Sequence, residues 1–284
     1  MSAAGARALS EASSARRLLG LLDLFSPQHP VWTVGRMARG AKLSVSTTYR
    51  YVRDLTEVGL LAPAGAAGYV LGPAIIEYDR QIRQSDPLLK SAVPVARWLL
   101  KQAAPKGAVV ISRWYRDRVM CLHQESGGVH PLAASYERGL PMSLFRGATS
   151  KIILAFLPDR LLRRLFDARR REAVAAGLGG DWTQFRRSLR ALRDAGVCET
   201  ASEVAPGRIG IAAPIFSDGR VLGSLSVVLG RRALTAPVSA RIRALVVAAA
   251  AEVSAAMDPT AHIRFAAKTA KETRRKRVHA ASKS

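Results

Sequence analysis

Residues 42–61, KLSVSTTYRYVRDLTEVGLL, constrain the fold more than any other stretch of the chain. Ser44 is spaced to cap a helix over residues 45–58, and Gly59 is placed to stop it in the left-handed conformation. An apolar strand follows at once. Upstream, residues 12–25 set Leu18, Leu19, Leu22 and Phe25 on one helical stripe, which Pro27 and Pro30 bring to an end. Thr33 can cap a second short helix reaching about Lys42, with Met37 and Ala38 facing inward. Downstream, LLAPAGAAGYVLG reads as a short strand, a Pro/Gly/Ala turn and a second strand. Three helices followed by a hairpin is the order of a winged helix-turn-helix, and residues 1–72 are expected to form one.

The third helix has two unlike sides. On a helical wheel Val45, Thr48, Tyr49, Val52 and Leu55 gather on one, which predicts packing against the two preceding helices. Ser46, Arg50 and Arg53 lie on the other, with Thr47 at its margin. Such a side can enter a major groove, where Arg reads guanine and Ser or Thr reaches bases or phosphates. The amides at the helix start, beside Ser44, suit a phosphate. A solvated polar face is the plain alternative; the helix–turn–helix–hairpin setting favours DNA.

Residues 73–85 read as a linker helix, and Asp86 starts another reaching Gln102. The pattern then changes. GAVVISRWY and VMCLHQE alternate at period two, as paired strands do. Helices follow at residues 149–157, 159–176 and 181–195, then strands at 197–202, 208–216 and 221–229, the last two joined by the hairpin turn SDGR. A long apolar helix over 236–257 closes the unit. Helices flanking an antiparallel sheet make residues 86–258 an α+β domain of sensor type. The tail, residues 259–284, is basic and poor in core-forming residues, so disorder is expected there.

Composition narrows the function. The formal charge of +23 points to an anionic polymer as partner. It is spread along the chain: residues 1–85 carry ten basic and six acidic side chains, 86–258 carry 26 and 14, and 259–284 carry eight and one. Charge alone therefore does not locate the contact surface. Cys121 and Cys198, without CxxC or Cys/His spacing, read as small buried hydrophobes rather than a disulfide or zinc ligands, and His123 as a core or edge histidine. The longest uncharged apolar run, residues 244–251, is far too short to span a bilayer, and the N-terminus lacks a signal-peptide succession. A cytoplasmic protein with no membrane partner is expected. GxSxG, HExxH and Walker-type loops are absent from the sequence, so neither an enzyme nor a cofactor is expected.

SARRLLGLLDLF, VGRMARGAKLSVSTTYRYVRDLTEVGLL and GYVLGPAIIE resemble the N-terminal winged helix of IclR-type transcriptional regulators. The likeness continues through GLPMSLFRGATSKIILAFLP and LRALRDAGVCETASEVAPGRIGIAAPIFSDGRVLGSLSVVL, covering about residues 12–257. It implies a homodimer or tetramer on a pseudo-palindromic double-stranded operator. A GAF-like C-terminal domain would sense a small molecule, an organic acid or an aromatic compound. By that resemblance Arg16, Ser46, Thr47 and Arg50 are DNA contacts, while Tyr49 and Leu55 pack. Val45 stands where the family often carries Lys or Arg, and the wing lacks the basic residue many members offer to the minor groove. The basic tail is a candidate source of the phosphate attraction this removes.

The resemblance also marks an effector site. Ala148, Thr149 and Ser226 carry over to it. The carboxylate, thiol and second hydroxyl of some small-acid sensors correspond to Thr200, Gly210 and Val228, which implies a roomier, less polar pocket and a bulkier ligand. Arg208 could pair a ligand carboxylate. From the residues alone, Ala148, Thr149 and Ser150 open a helix whose N-terminus either binds an anion or is capped by Thr149 or Ser150. The competing functional reading is a DNA-binding or protein-interaction regulator whose sensor domain takes no ligand.

Overall fold

A computed structural model describes residues 13–65, 68–128, 136–231 and 234–258. The chain divides into two compact units, Met1–Ser85 and Asp86–Ser284. In the first, α1 (Ser14–Gly20) leads through a 3-10 turn (Leu22–Leu24) to β1 (Trp32–Thr33), α2 (Val34–Ala41) and α3 (Val45–Glu57). The hairpin β2 (Leu61–Ala64) and β3 (Gly68–Leu71) follows, then α4 (Ala74–Ser85). The Thr33 side chain accepts from the Arg36 amide at 3.4 Å, so α2 starts where the sequence places its cap. Lys42 takes the left-handed conformation (φ 56°) to end α2, and Gly59 (φ 73°) turns the chain from α3 into β2. There a residue with a Cβ would be strained.

Leu21, Leu24, Met37, Ala41, Tyr51, Val52, Leu55 and Leu61 form the core of this unit. Of the stripe expected on the first helix, Leu18, Leu22 and Phe25 pack against this core and Leu19 does not. Leu19 is exposed, whereas Leu21 and Leu24 are buried. The α-helix stops at Gly20 and the chain tightens into a 3-10 turn of three residues per turn, so side chains beyond it no longer follow the α-helical spacing. Trp32 pairs with Tyr69, so β1 joins the hairpin in a three-stranded sheet of order β1-β3-β2.

The second unit begins with α5 (Pro87–Ala103), β4 (Ala108–Tyr115), β5 (Arg118–Ser126) and β6 (Pro141–Ser143). Three helices come next: α6 (Ala148–Ala155), α7 (Asp159–Ala175) and α8 (Trp182–Ala195). Then follow β7 (Cys198–Ala201), β8 (Arg208–Ser217), β9 (Arg220–Gly230) and α9 (Ala236–Met257). The six strands form one antiparallel sheet of order β6-β5-β4-β9-β8-β7. Ile209, Ile211, Ala213 and Ile215 of β8 face α5 and α9, while Ala212 joins Phe145, Ile152 and Phe185 on the opposite side. This strict alternation makes the sheet a wall between two apolar cores and gives the α+β architecture. Asp218 and Gly219 both have positive φ (50° and 70°), the signature of a two-residue hairpin turn. Asp86 caps α5 through the Leu88 amide (2.9 Å) and also grips Arg113 of β4 by two bonds of 2.8 and 2.9 Å. Among the described residues, no helix is long and apolar enough to cross a membrane.

Candidate functional site

The N-terminus of α3 is built from hydroxyls. Ser44 Oγ accepts from the Thr47 amide (3.2 Å), donates to Thr47 Oγ1 (2.8 Å) and lies 3.2 Å from Ser46 Oγ. Thr48, buried beneath them, returns its hydroxyl to the Ser44 carbonyl at 2.9 Å. Ser44, Ser46, Arg50 and Arg53 are exposed and Thr47 is half-buried, so α3 gathers five of the six candidate DNA contacts on its outer side. Arg50 leans over the Tyr51 ring, its Cζ 5.6 Å from the centroid. Arg53 touches Asp54 at 3.5 Å, but Arg53 is exposed and Asp54 only half-buried, so the pair is weak. Arg16, the sixth, is exposed on α1. Two residues before it, Ser14 Oγ meets Tyr51 Oη at 2.8 Å, which fixes the start of α1 against α3.

The inner face of α3 corrects the expected one. Thr48, Tyr51, Val52 and Leu55 are buried; Val45 and Tyr49 are 60% and 63% exposed. Tyr49 is therefore not a packing residue, and Tyr51 is the aromatic that enters the core. Residues 48, 51, 52 and 55 follow the i, i+3, i+4, i+7 spacing of a buried helix face, a signal the sequence already contained.

In the second unit the candidate effector residues share one side of the sheet. Thr200, Gly210 and Val228 are direct cross-strand neighbours, and in the next row on that side Cys198, Ala212 and Ser226 are too. The start of α6 lies on these rows: Thr149 Oγ1 donates to Ser226 Oγ at 2.9 Å, and Ser224 Oγ donates to the Thr149 carbonyl at 3.1 Å. A Cβ added to Gly210 would stand 3.5 Å from the Ala148 Cβ and 3.8 Å from Thr200 Oγ1. A larger side chain there would fill the space in front of Ala148. Arg208, one step further along β8 on the same side, is exposed opposite Gly230. Ala108, Val110, Cys121, Tyr136 and Val228 continue the surface as a small apolar cluster.

Neither Thr149 nor Ser150 caps α6. Gly147 is the cap residue (φ 81°), and its N–H donates to Glu203 Oε2 at 2.9 Å. Glu203 Oε1 accepts from Lys151 Nζ at 2.6 Å, and Arg146 donates to the Glu203 carbonyl. An internal carboxylate thus occupies the anion-favouring end of the helix. The Ser150 and Ser112 hydroxyls are buried with no partner among the described residues. Glu203 was not legible as a site residue, because it meets α6 only through the fold.

Elsewhere the groups are quiet. Burial pushes the Cys121 thiol up to about 11 and the Cys198 thiol up to about 12. His123 Nε2 bonds Glu125 Oε1 at 2.8 Å, which Arg97 also reaches at 2.9 Å. The arginines of α7 are partly tied down, Arg163 to Asp167 and Arg169 to Glu172. Among the described residues no three metal-ligating side chains converge.

A family model described as bacterial transcriptional regulator IclR C-terminal matches residues 84–255, and the IclR helix-turn-helix domain matches residues 14–64. The HTH-type transcriptional regulator KipR of Bacillus subtilis is 23% identical over 203 residues, 71% of this chain and 79% of its own length. An IclR family transcriptional regulator from Brucella abortus superposes with a TM-score of 0.72 at 19% identity, over 87% of this chain and 93% of that one. An IclR homolog from Microbacterium hydrocarbonoxydans, solved in complex with 4-hydroxybenzoate, gives a TM-score of 0.64 at 21% identity, over 86% and 99% of the two chains. At these identities the structural likeness speaks for the fold alone.

Proposed function

The chain belongs to the IclR family of bacterial transcriptional regulators, and from that premise we propose which residues read DNA and what the second unit senses. Ser44, Ser46, Thr47, Arg50 and Arg53 of α3, with Arg16 of α1, are the operator contacts. The observation that carries this is the outer side of α3, where hydroxyls and guanidiniums are presented on a helix held from behind by Tyr51, Val52 and Leu55. Arg50 suits a bidentate contact to guanine, Arg53 and Arg16 suit phosphates, and the hydroxyl cluster suits the backbone at the helix start. A homodimer or tetramer would present two such helices to the half-sites of a pseudo-palindrome. Footprinting the purified protein on the DNA upstream of its own gene tests this. A protected, pseudo-symmetric segment that Arg50→Ala no longer protects is the expected result; equal protection by that variant would remove α3 as the reader.

The effector site lies, in this reading, between the start of α6 and the row Thr200–Gly210–Val228. Glycine and valine at two of those positions favour an aromatic acid over a two- or three-carbon acid, with Arg208 available to the carboxylate. The 4-hydroxybenzoate bound by the Microbacterium homolog is a fitting probe. Calorimetry should show 4-hydroxybenzoate or a similar aromatic acid binding more tightly than glyoxylate or pyruvate, and Gly210→Leu should weaken it by filling the space before Ala148. The reverse preference would contradict the assignment.

A second reading is favoured by one observation. The Thr149 and Ser226 hydroxyls bond each other, and Glu203 takes the Gly147 N–H, so this hydroxyl pair and this helix-start amide are already engaged from within the fold. A sensor unit that takes no ligand would look like this. Melting temperatures separate the two, since a bound effector raises the transition by mass action and an idle site leaves it fixed. Neither reading assigns a catalytic role.

A further inference from the structure

Val45 and Tyr49 are the two residues of α3 that the core does not take and that charge does not explain. They lie one turn apart, at i and i+4, and are 60% and 63% exposed. Each is interleaved with a polar candidate contact: Val45 precedes Ser46, and Tyr49 precedes Arg50. An isolated exposed apolar side chain needs no explanation, but two adjoining ones on the reading surface of a DNA-binding helix do.

Their position says what would cover them. Val45 is the first residue of α3, directly after the Ser44 cap, and the N-terminal residues of the second helix in a helix-turn-helix meet base edges. Residues 45–53 carry Arg50 and Arg53 and no acidic side chain, so the first two turns match a polyanion rather than a second protein surface; Asp54 and Glu57 come only at the far end. A major groove offers one apolar group at its base edges, the thymine 5-methyl.

We infer that Val45 and Tyr49 are specificity-determining residues, an apolar edge of α3 that reads a thymine 5-methyl in each operator half-site. This rests on the DNA-reading assignment above and deepens it.

The test uses the full chain and a duplex recovered from a randomised library by selection with it. Each thymine is replaced in turn by deoxyuridine, which deletes one methyl and leaves pairing and every other groove group unchanged. At one or two positions per half-site the wild type should bind roughly fourfold more weakly, the worth of one buried carbon. Val45→Ser or Tyr49→Ser should bind the thymine and uridine duplexes alike at the position that residue reads, with melting curves like the wild type, because both side chains are exposed. A wild type indifferent to every uridine, or variants that keep the sensitivity, overturns the inference. If Arg50→Ala still abolishes specific binding in that case, the operator reading stands and only the apolar edge falls. If selection recovers no preferred duplex, both fall together.

Discussion

Tyr49 and Tyr51 differ by two positions and by everything else. Tyr51 fills the core of the first unit and closes a hydroxyl pair with Ser14 at 2.8 Å, while Tyr49 faces solvent. Tyr51→Phe keeps the ring and loses the bond, so denaturant unfolding should register a loss of about 1 kcal/mol. Tyr49→Ser, by contrast, should leave that transition within about 0.5 kcal/mol of the wild type. The wheel of α3 alone put Tyr49 inward, because one aromatic at a margin shifts the apparent centre of the apolar side. Thr48 was placed inward correctly: its side chain satisfies itself on the Ser44 carbonyl and is fully buried, and the face was misjudged at Val45 and where Tyr49 was taken for Tyr51. The two cysteines, in contrast, were legible from spacing. With thiols pushed up to about 11 and about 12 by burial, neither is a thiolate near neutral pH, so iodoacetamide should label the native protein slowly and the unfolded chain fast. The folded state holds these protons after the unfolded chain has begun to release them near 9.0, so the thiols favour the fold at neutral pH and that contribution is lost as pH climbs toward 11.

Ser44 does two jobs at the scale of the element, and they can be pulled apart. Its hydroxyl caps α3 through the Thr47 amide and stands on the surface assigned to DNA. Ser44→Ala should cost about 1 kcal/mol in unfolding of the first unit, the usual worth of a cap. Ser44→Asp should keep the cap and favour the helix dipole, leaving the melting temperature unchanged or raised. Its charge would face phosphates. At about 6 Å and an effective dielectric of about 40, one unit of repulsion is about 1.4 kcal/mol, so operator affinity should fall roughly tenfold. A stable Ser44→Asp variant that binds as the wild type does would take Ser44 off the interface. Caps and stops such as Thr33, Ser44, Gly59 and Asp86 were readable because each acts on its own few neighbours. The two-residue β1 and three-residue β6 were not, since nothing in WT or PMS signals a strand until Tyr69 or Val119 lies alongside. The tight turn after Gly20 escaped for a related reason: its backbone follows from what Leu21 and Leu24 bury.

Over the whole molecule, the order of elements was legible from the residues themselves, and the candidate effector surface only through the family resemblance. Three helices and a hairpin, then helices around long alternating strands, follow from period and punctuation; the meeting of Thr200, Gly210 and Val228 requires the register of three strands, and the Glu203 contact requires the packing of α6. Charge is the remaining property of the entire chain. Of the +23, residues 1–85 hold only +4, a small share for the unit that reads DNA, while residues 259–284, which lie outside the described residues, hold +7. If those basic side chains lie along the DNA flanks, they add phosphate contacts without adding sequence preference, and counterion release then makes binding steeper in salt. Removing residues 263–284 deletes all eight of the basic residues after position 258. Should half of them reach phosphates, the plot of log affinity against log salt would flatten by roughly 4 units, at about 0.9 per contact. Discrimination between the selected operator and a scrambled duplex should stay as it was, because phosphate contacts carry no sequence information. Fluorescence anisotropy across a salt series, with both duplexes, measures slope and discrimination together. An unchanged slope in the truncated protein would place the phosphate attraction on the folded units alone.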